Sequence, residues 1–231
     1  MSDNPGVTSV SFESLSLEHS STVDRVADEL RRALFDGEVE TGTPLREVAL
    51  AEAMGVSRST VREALAVLVS EGLALREPNR GVRVPALDAA AVHDVCRARV
   101  ILEVAGARRW STARAPARAV LSRALEAFAD AAASDASPAE LTAAHLGLHG
   151  AIVGLTESPR VVAQAETLYA EIRLALAKVD RVRRNASQQV RAHRALVRVI
   201  EAGDPDRSEA AIEEHLLDAE ASMLTALDLA S

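Results

Sequence analysis

From Ser21 onward, apolar residues recur at helical intervals. Capping hydroxyls at Ser21 and Thr22 open a run in which Val23, Val26, Ala27, Leu30 and Leu34 share one face until Asp36 and Gly37 stop it. This spacing predicts a first amphipathic helix. Gly42 and Pro44 mark a turn, and a short helix is expected from about Val48 to Met54, closed by Gly55. Ser57 is placed to cap the next helix, whose buried stripe is Val61, Leu65 and Leu68. Beyond Gly72, two β-type runs, Leu73 to Glu77 and Val82 to Pro85, flank the turn residues Pro78, Asn79, Arg80 and Gly81. Two short helices meeting at a glycine turn and followed by a hairpin describe a winged helix-turn-helix.

After Pro85 the pattern is helical almost to the end. Breaks fall around Ala115-Pro116, Ser134 to Pro138, Glu157 to Pro159, Asn185 to Ser187 and Gly203 to Pro205, which delimit about six helices. Short connections and apolar faces of Ala and Leu predict an antiparallel bundle. Residues 1–20 show no sustained period and are expected to form a flexible tail. The expected fold is therefore mainly α: a tail at 1–20, a winged helix-turn-helix with a small β-hairpin wing at 21–86, and an all-helical domain at 88–231.

Composition agrees with this pattern. In 231 residues only 2% are aromatic, so the core must come from Ala, Leu and Val, which suits close helix packing better than a sandwich or barrel. One cysteine, Cys96, excludes an internal disulfide and any multi-cysteine zinc site. The polar, acidic N-terminus is unlike a signal peptide, and no uninterrupted apolar run approaches the ~18 residues of a membrane span. A cytoplasmic protein without membrane contact is expected. The formal net charge of -8 excludes a generally basic nucleic-acid coat but leaves room for a local basic face, and 25 of the 26 basic residues are arginines, the single lysine being Lys178. Guanidinium offers a bidentate fork for phosphate, carboxylate or guanine.

Two groups of residues carry chemistry. The second helix of the helix-turn-helix opens with Ser57, Arg58, Ser59, Thr60 and Arg62, all able to bond phosphates or base edges, and Arg58 and Arg62 share a face apart from the buried stripe. In the bundle, His145 and His149 lie four apart on one helix face. His193 precedes the turn at Gly203, and His215 follows the helix start at Asp204-Pro205, by about equal numbers of residues. At about 1.5 Å rise per residue each sits about 15 Å from the turn, so the two face each other in an antiparallel hairpin. Two such pairs have the geometry of a three- or four-ligand transition-metal site. His19 and His93 have no such partner.

The segments around Leu45-Arg46-Glu47, Val56-Ser57-Arg58, Val61 to Leu65, Glu71-Gly72-Leu73 and Arg80-Gly81-Val82 resemble the DNA-binding domain of GntR-type bacterial transcription regulators. The resemblance covers residues 22–86 and implies a homodimeric regulator, here taken as a repressor, on an inverted-repeat double-stranded DNA operator. It places Arg58 and Arg62 where the family contacts operator bases and backbone, Thr60 on phosphate, and Arg80 and Gly81 on the wing in the minor groove. Val48 stands where some members have a basic phosphate-binding residue, and Arg46 is the substitute.

Residues 88–228, through Arg99 to Glu103, His145 to His149, His193 to Leu196 and His215-Leu216, resemble the FCD effector domain of one GntR branch. That resemblance implies a divalent metal, zinc or a similar ion, held by one Asp and three His, with a small carboxylate effector beside it. His149, His193 and His215 fall on the three His positions, whereas His145 stands in the usual Asp position. An added imidazole leaves more positive charge for an anionic ligand and favours Zn²⁺, Ni²⁺ or Cu²⁺; if His145 does not coordinate, a three-His site remains. Arg99 matches the arginine that faces the effector, and its alternative is an ion pair with Glu103 four residues on. Arg173 is a further effector-binding candidate on spacing alone. Two competing readings are a regulator answering to metal alone and a metal-dependent hydrolase. The latter lacks an evident base, since Glu103 is the only nearby carboxylate and no His-Glu-x-x-His occurs.

Overall fold

The computed structural model describes residues 21–183 and 186–229. Helix α1 (Thr22–Asp36) is held at its start by a capping box between Ser21 and Asp24. Helices α2 (Glu47–Met54) and α3 (Arg58–Ser70) follow, with Ser57 capping α3 through Thr60 N–H. Val61, Ala64, Leu65 and Leu68 of α3 are fully buried against α1, with Val26, Ala27, Leu30 and Leu34 on the facing side. Strands β1 (Leu75–Glu77) and β2 (Gly81–Arg83) form the antiparallel wing, with Leu75 opposite Arg83 and Glu77 opposite Gly81.

The strands are shorter than the expected Leu73–Glu77 and Val82–Pro85 runs, and Gly81 opens β2 instead of closing the turn. Leu73 and Ala74 are taken by the end of α3, their amides bonding the Leu68 carbonyl. Val84 instead pairs with Thr43, as Leu45 does with Val82, so residues 42–45 brace the wing from its other side.

Six helices complete the described chain: α4 (Ala89–Ala107), α5 (Ala115–Ala133), α6 (Pro138–Gly154), α7 (Pro159–Arg183), α8 (Ala186–Glu201) and α9 (Pro205–Ala226). They pack as a bundle around two apolar cores, one centred on α5, α6, α8 and α9 and the other on α4, α6, α7 and α9. Pro116, Pro138 and Pro205 sit in first turns, where a missing amide costs nothing. Close approach of α4 and α6 requires Gly106, because a Cβ there would collide with the Ile152 carbonyl. That crossing sets Glu103 on α4 beside His149 on α6. The expected tail at 1–20, with His19, lies outside the described residues, as do 184–185 of the break near Asn185.

Candidate functional site

The exposed end of the winged helix gathers arginines around one glutamate. Arg58, Ser59 and Arg62 project from α3 into solvent, and Thr60 is half-buried. The Ser57 hydroxyl is engaged locally, accepting from Thr60 N–H at 3.1 Å and lying 2.7 Å from Ser59 Oγ. Arg62 donates two bonds to Glu47 on α2, at 3.0 and 2.8 Å. Those bonds, with the nearby Arg58 and Arg76, hold the Glu47 carboxyl below its usual range. Arg46 is exposed at the start of α2, and Arg80 and Gly81 are exposed at the wing tip. Arg76 on β1 joins this basic group although sequence reasoning passed over it. Arg76 stands in the first wing strand between Leu75 and Glu77, and only the fold brings the wing beside α2.

Beneath the bundle surface the histidines converge. His145 and His149 come from α6, His193 from α8 and His215 from α9. The Nε2 atom of His193 lies 3.0 Å from that of His145 and 3.2 Å from that of His149. Ligand atoms of these three lie within 4.8 Å of one another. His215 faces His193 with ring centroids 4.6 Å apart and stacks on His149 at 5.3 Å. Phe128 of α5 covers the cluster, stacked on His145 and edge-on to His193.

The tautomers show whether these residues suit a metal ion. His193 Nδ1 lies 2.8 Å from the Gln189 carbonyl, which can only accept, so Nδ1 carries the proton and Nε2 a lone pair. His149 Nδ1 lies 2.7 Å from Glu103 Oε2 and donates to it in the same way. Two lone pairs then face each other across 3.2 Å, a repulsion that a divalent ion converts into coordination. With metal–nitrogen bonds of ~2.0–2.1 Å, neighbouring ligand atoms stand roughly 3.0–3.4 Å apart, as the His193–His145 and His193–His149 pairs do. Fixing the outer ring nitrogen on a carboxylate or carbonyl is the usual support for a metal-binding imidazole. The residues present therefore fit the ion.

Burial reinforces the neutral form. Loss of solvent drives His149 and His193 well below the ordinary imidazole range, and it takes His215 down to about 4 against the opposing pull of Glu103. Glu103 has no exposed surface and is raised by burial, with Arg99 working against that rise. Its Oε1 accepts from Arg99 Nε at 3.0 Å and Tyr169 OH at 3.3 Å, while Oε2 serves His149. Glu103 and Tyr169 are thus the supporting residues that spacing alone did not reveal.

A cavity of about 200 Å³ opens beside the cluster, lined by Arg99 and the four histidines together with Gln188, Gln189, Asp218 and Ser222. Arg99 pairs with Glu103 and also lines the cavity. Arg173 does not line this cavity; it stands on the flank of α7, its Nε buried with no hydrogen-bond partner among the described residues. His93 is bound to Glu220 at 2.6 Å, apart from the cluster. Burial pushes the Cys96 thiol up to about 11, which removes it as a nucleophile. A wider trough of about 980 Å³ lies between α1 and the end of α2, but its Asp28 and Arg32 are engaged with Arg31 and Glu29, and no ligand set converges there.

Comparison with known proteins follows the same division of the chain. Residues 22–84 match the family described as bacterial regulatory proteins, gntR family, and residues 94–218 match the FCD domain. A gluconate operon transcriptional repressor of Bacillus licheniformis is 39% identical over 87 residues, 38% of this chain and 35% of the relative. The chain thus spans about a third of the length of that relative. The Probable D-xylose utilization operon transcriptional repressor of Paenarthrobacter nicotinovorans is 27% identical over 203 residues, covering 87% of this chain and 88% of its own. Among solved structures, a transcriptional regulator GntR from Rhodococcus sp. RHA1 superposes with TM-score 0.68 at 27% identity, over 89% of this chain and 99% of that one. E. coli McbR/YncC shares the fold at TM-score 0.63 and 22% identity, over 90% and 99%.

Proposed function

The chain belongs to the gntR family of bacterial regulatory proteins, DNA-binding transcription regulators, with an FCD domain as its second half, and on that premise we propose that it is a ligand-responsive repressor whose helical half binds a divalent metal and a small organic acid. Membership sets the hydrolase reading aside; of the two carboxylates at the cavity, Glu103 is committed to Arg99, Tyr169 and His149, and Asp218 lines the wall.

The observation that carries the proposal is the convergence of His145, His149, His193 and His215 on a cavity that also presents Arg99. In this reading the four imidazoles hold Zn²⁺, with Ni²⁺ the nearest competitor, because a nitrogen-only set disfavours oxygen-loving ions. Bound there, the metal would supply a Lewis-acidic positive charge, and Arg99 would grip the acid's carboxylate beside it. The protein acts in the cytoplasm as a homodimer, residues 21–86 reading an inverted repeat and residues 88–231 sensing. Arg58 and Arg62 face bases and backbone, Ser57, Ser59, Thr60 and Arg46 meet phosphates, and Arg80 with Gly81 enter the minor groove. Ligand affinity that differs between DNA-competent and DNA-incompetent states sets the response.

The test is a thermal-shift screen of small mono-, di- and hydroxycarboxylic acids on metal-loaded and chelator-stripped protein, since occupancy raises the melting temperature. An acid that stabilises the loaded form alone supports the proposal. Stabilisation by metal with no added effect of any acid replaces it with a metal-responsive regulator, and no effect of metal overturns the four-histidine site.

A further inference from the structure

Helix α7 has two working faces. At about 100° per residue, Tyr169, Ile172, Leu176 and Val179 share one side and Ala170, Leu174 and Ala177 the nearly opposite one. The first set is in the bundle core; Leu176 and Val179 line the histidine cavity, and Tyr169 bonds Glu103 and lies under the Arg99 guanidinium. The second set belongs to the winged helix: Leu174 and Ala177 complete its core with residues of α1, α3 and the wing. Arg173 falls between the faces, which is why it misses the cavity.

The contact at Ala170 leaves no slack. Gly72, in the turn that ends α3, has φ +73, and a Cβ built on it would lie 2.8 Å from the Ala170 Cβ. Backbone of the turn therefore rests directly on α7. One residue away, Tyr169 holds Oε1 of the carboxylate whose Oε2 orients His149. Close-packed contacts of this kind transmit displacement from one element to the next.

We infer that α7 is the element that couples occupancy of the histidine cavity to the seating of the recognition helix α3, through Glu103, Tyr169, Ala170 and Gly72. This rests on the reading of the cavity as a metal site. An ion that drew the imidazoles together would pull on Glu103 through His149, and through Tyr169 and Ala170 on the turn at Gly72. By linkage the dependence runs both ways.

The experiment is hydrogen exchange on the full chain, stripped with chelator and then titrated with Zn²⁺, with binding itself followed by calorimetry. Exchange should change at least threefold at residues 66–76 as well as at 165–179 when Zn²⁺ binds. Ala170→Gly, which opens the contact without straining the turn, should keep Zn²⁺ affinity within threefold and lose the response at 66–76. Zn²⁺ binding that alters exchange around the histidines alone overturns the inference, as does an undiminished response in Ala170→Gly. Absence of Zn²⁺ binding overturns the metal reading instead. In that event the metal-free comparison decides: altered exchange at 99–105 in Ala170→Gly supports coupling through α7, and exchange unchanged there overturns it.

Discussion

The winged helix and the histidine cavity solve opposite problems. Arg58, Arg62, Arg76 and Arg80 stay near water, where charge costs little; Glu47 holds Arg62 by an exposed pair. Arg99, Glu103, His149 and His193 are each at most 2% exposed, so every polar group must be answered from within. The arginine face is built from exposed side chains of α2, α3 and the wing, each standing largely on its own. The cavity draws on five helices and fails as a unit.

The sharpest break in that contrast is Glu103→Ala. It strands the buried Arg99 and frees His149, and loss of one member of a buried pair costs about 3–5 kcal/mol. Urea unfolding should show that loss, and Zn²⁺ affinity should fall by about 10–100-fold, as removal of a supporting carboxylate does. A variant as stable as the parent would show that Glu103 holds nothing together. Next, His193→Ala removes the imidazole central to the trio. Its Zn²⁺-dependent gain, about 2.7 kcal/mol in the parent at a hundredfold excess over Kd, should vanish in a thermal scan while helicity by circular dichroism is retained.

On the other side, Arg58→Ala should weaken binding to an operator selected in vitro by about 10–100-fold and leave Zn²⁺ binding and melting temperature unchanged. Operator binding unchanged in that variant removes Arg58 from the reading face. The smallest effect is expected from Glu47→Gln, which leaves Arg62 one acceptor instead of two and deletes one negative charge among the arginines. Fluorescence anisotropy with random-sequence DNA should show affinity raised about two- to fivefold at low salt, vanishing as salt rises. A drop in affinity would mean that Glu47 presents Arg62 rather than restraining it.

The winged helix was legible because its signals are local. Ser57 caps α3, Val61, Leu65 and Leu68 repeat at helical spacing, and Arg58 and Arg62 lie four apart. The cavity was half legible. Equal distances of His193 and His215 from the turn at Gly203 put them opposite each other, because helix rise is constant. Nothing in the spacing showed that Glu103 would meet His149, 46 residues away, or that Tyr169 would close on the same carboxylate. Those contacts depend on the α4–α6 crossing at Gly106. Spacing alone could not place Arg173, which the turn of α7 sets on its flank, away from the cavity lining.

By itself, then, the order of apolar and polar residues determined the helices, the turn chemistry of the wing and the residue types available to each site, since capping, periodicity and backbone sterics act over a few residues. Tertiary structure alone decided which of those residues meet. It set the tautomers of His149 and His193 through Glu103 and Gln189, placed Arg99 against both Glu103 and the cavity, and seated Gly72 on Ala170, because packing between helices far apart in sequence depends on the volumes of both surfaces at once.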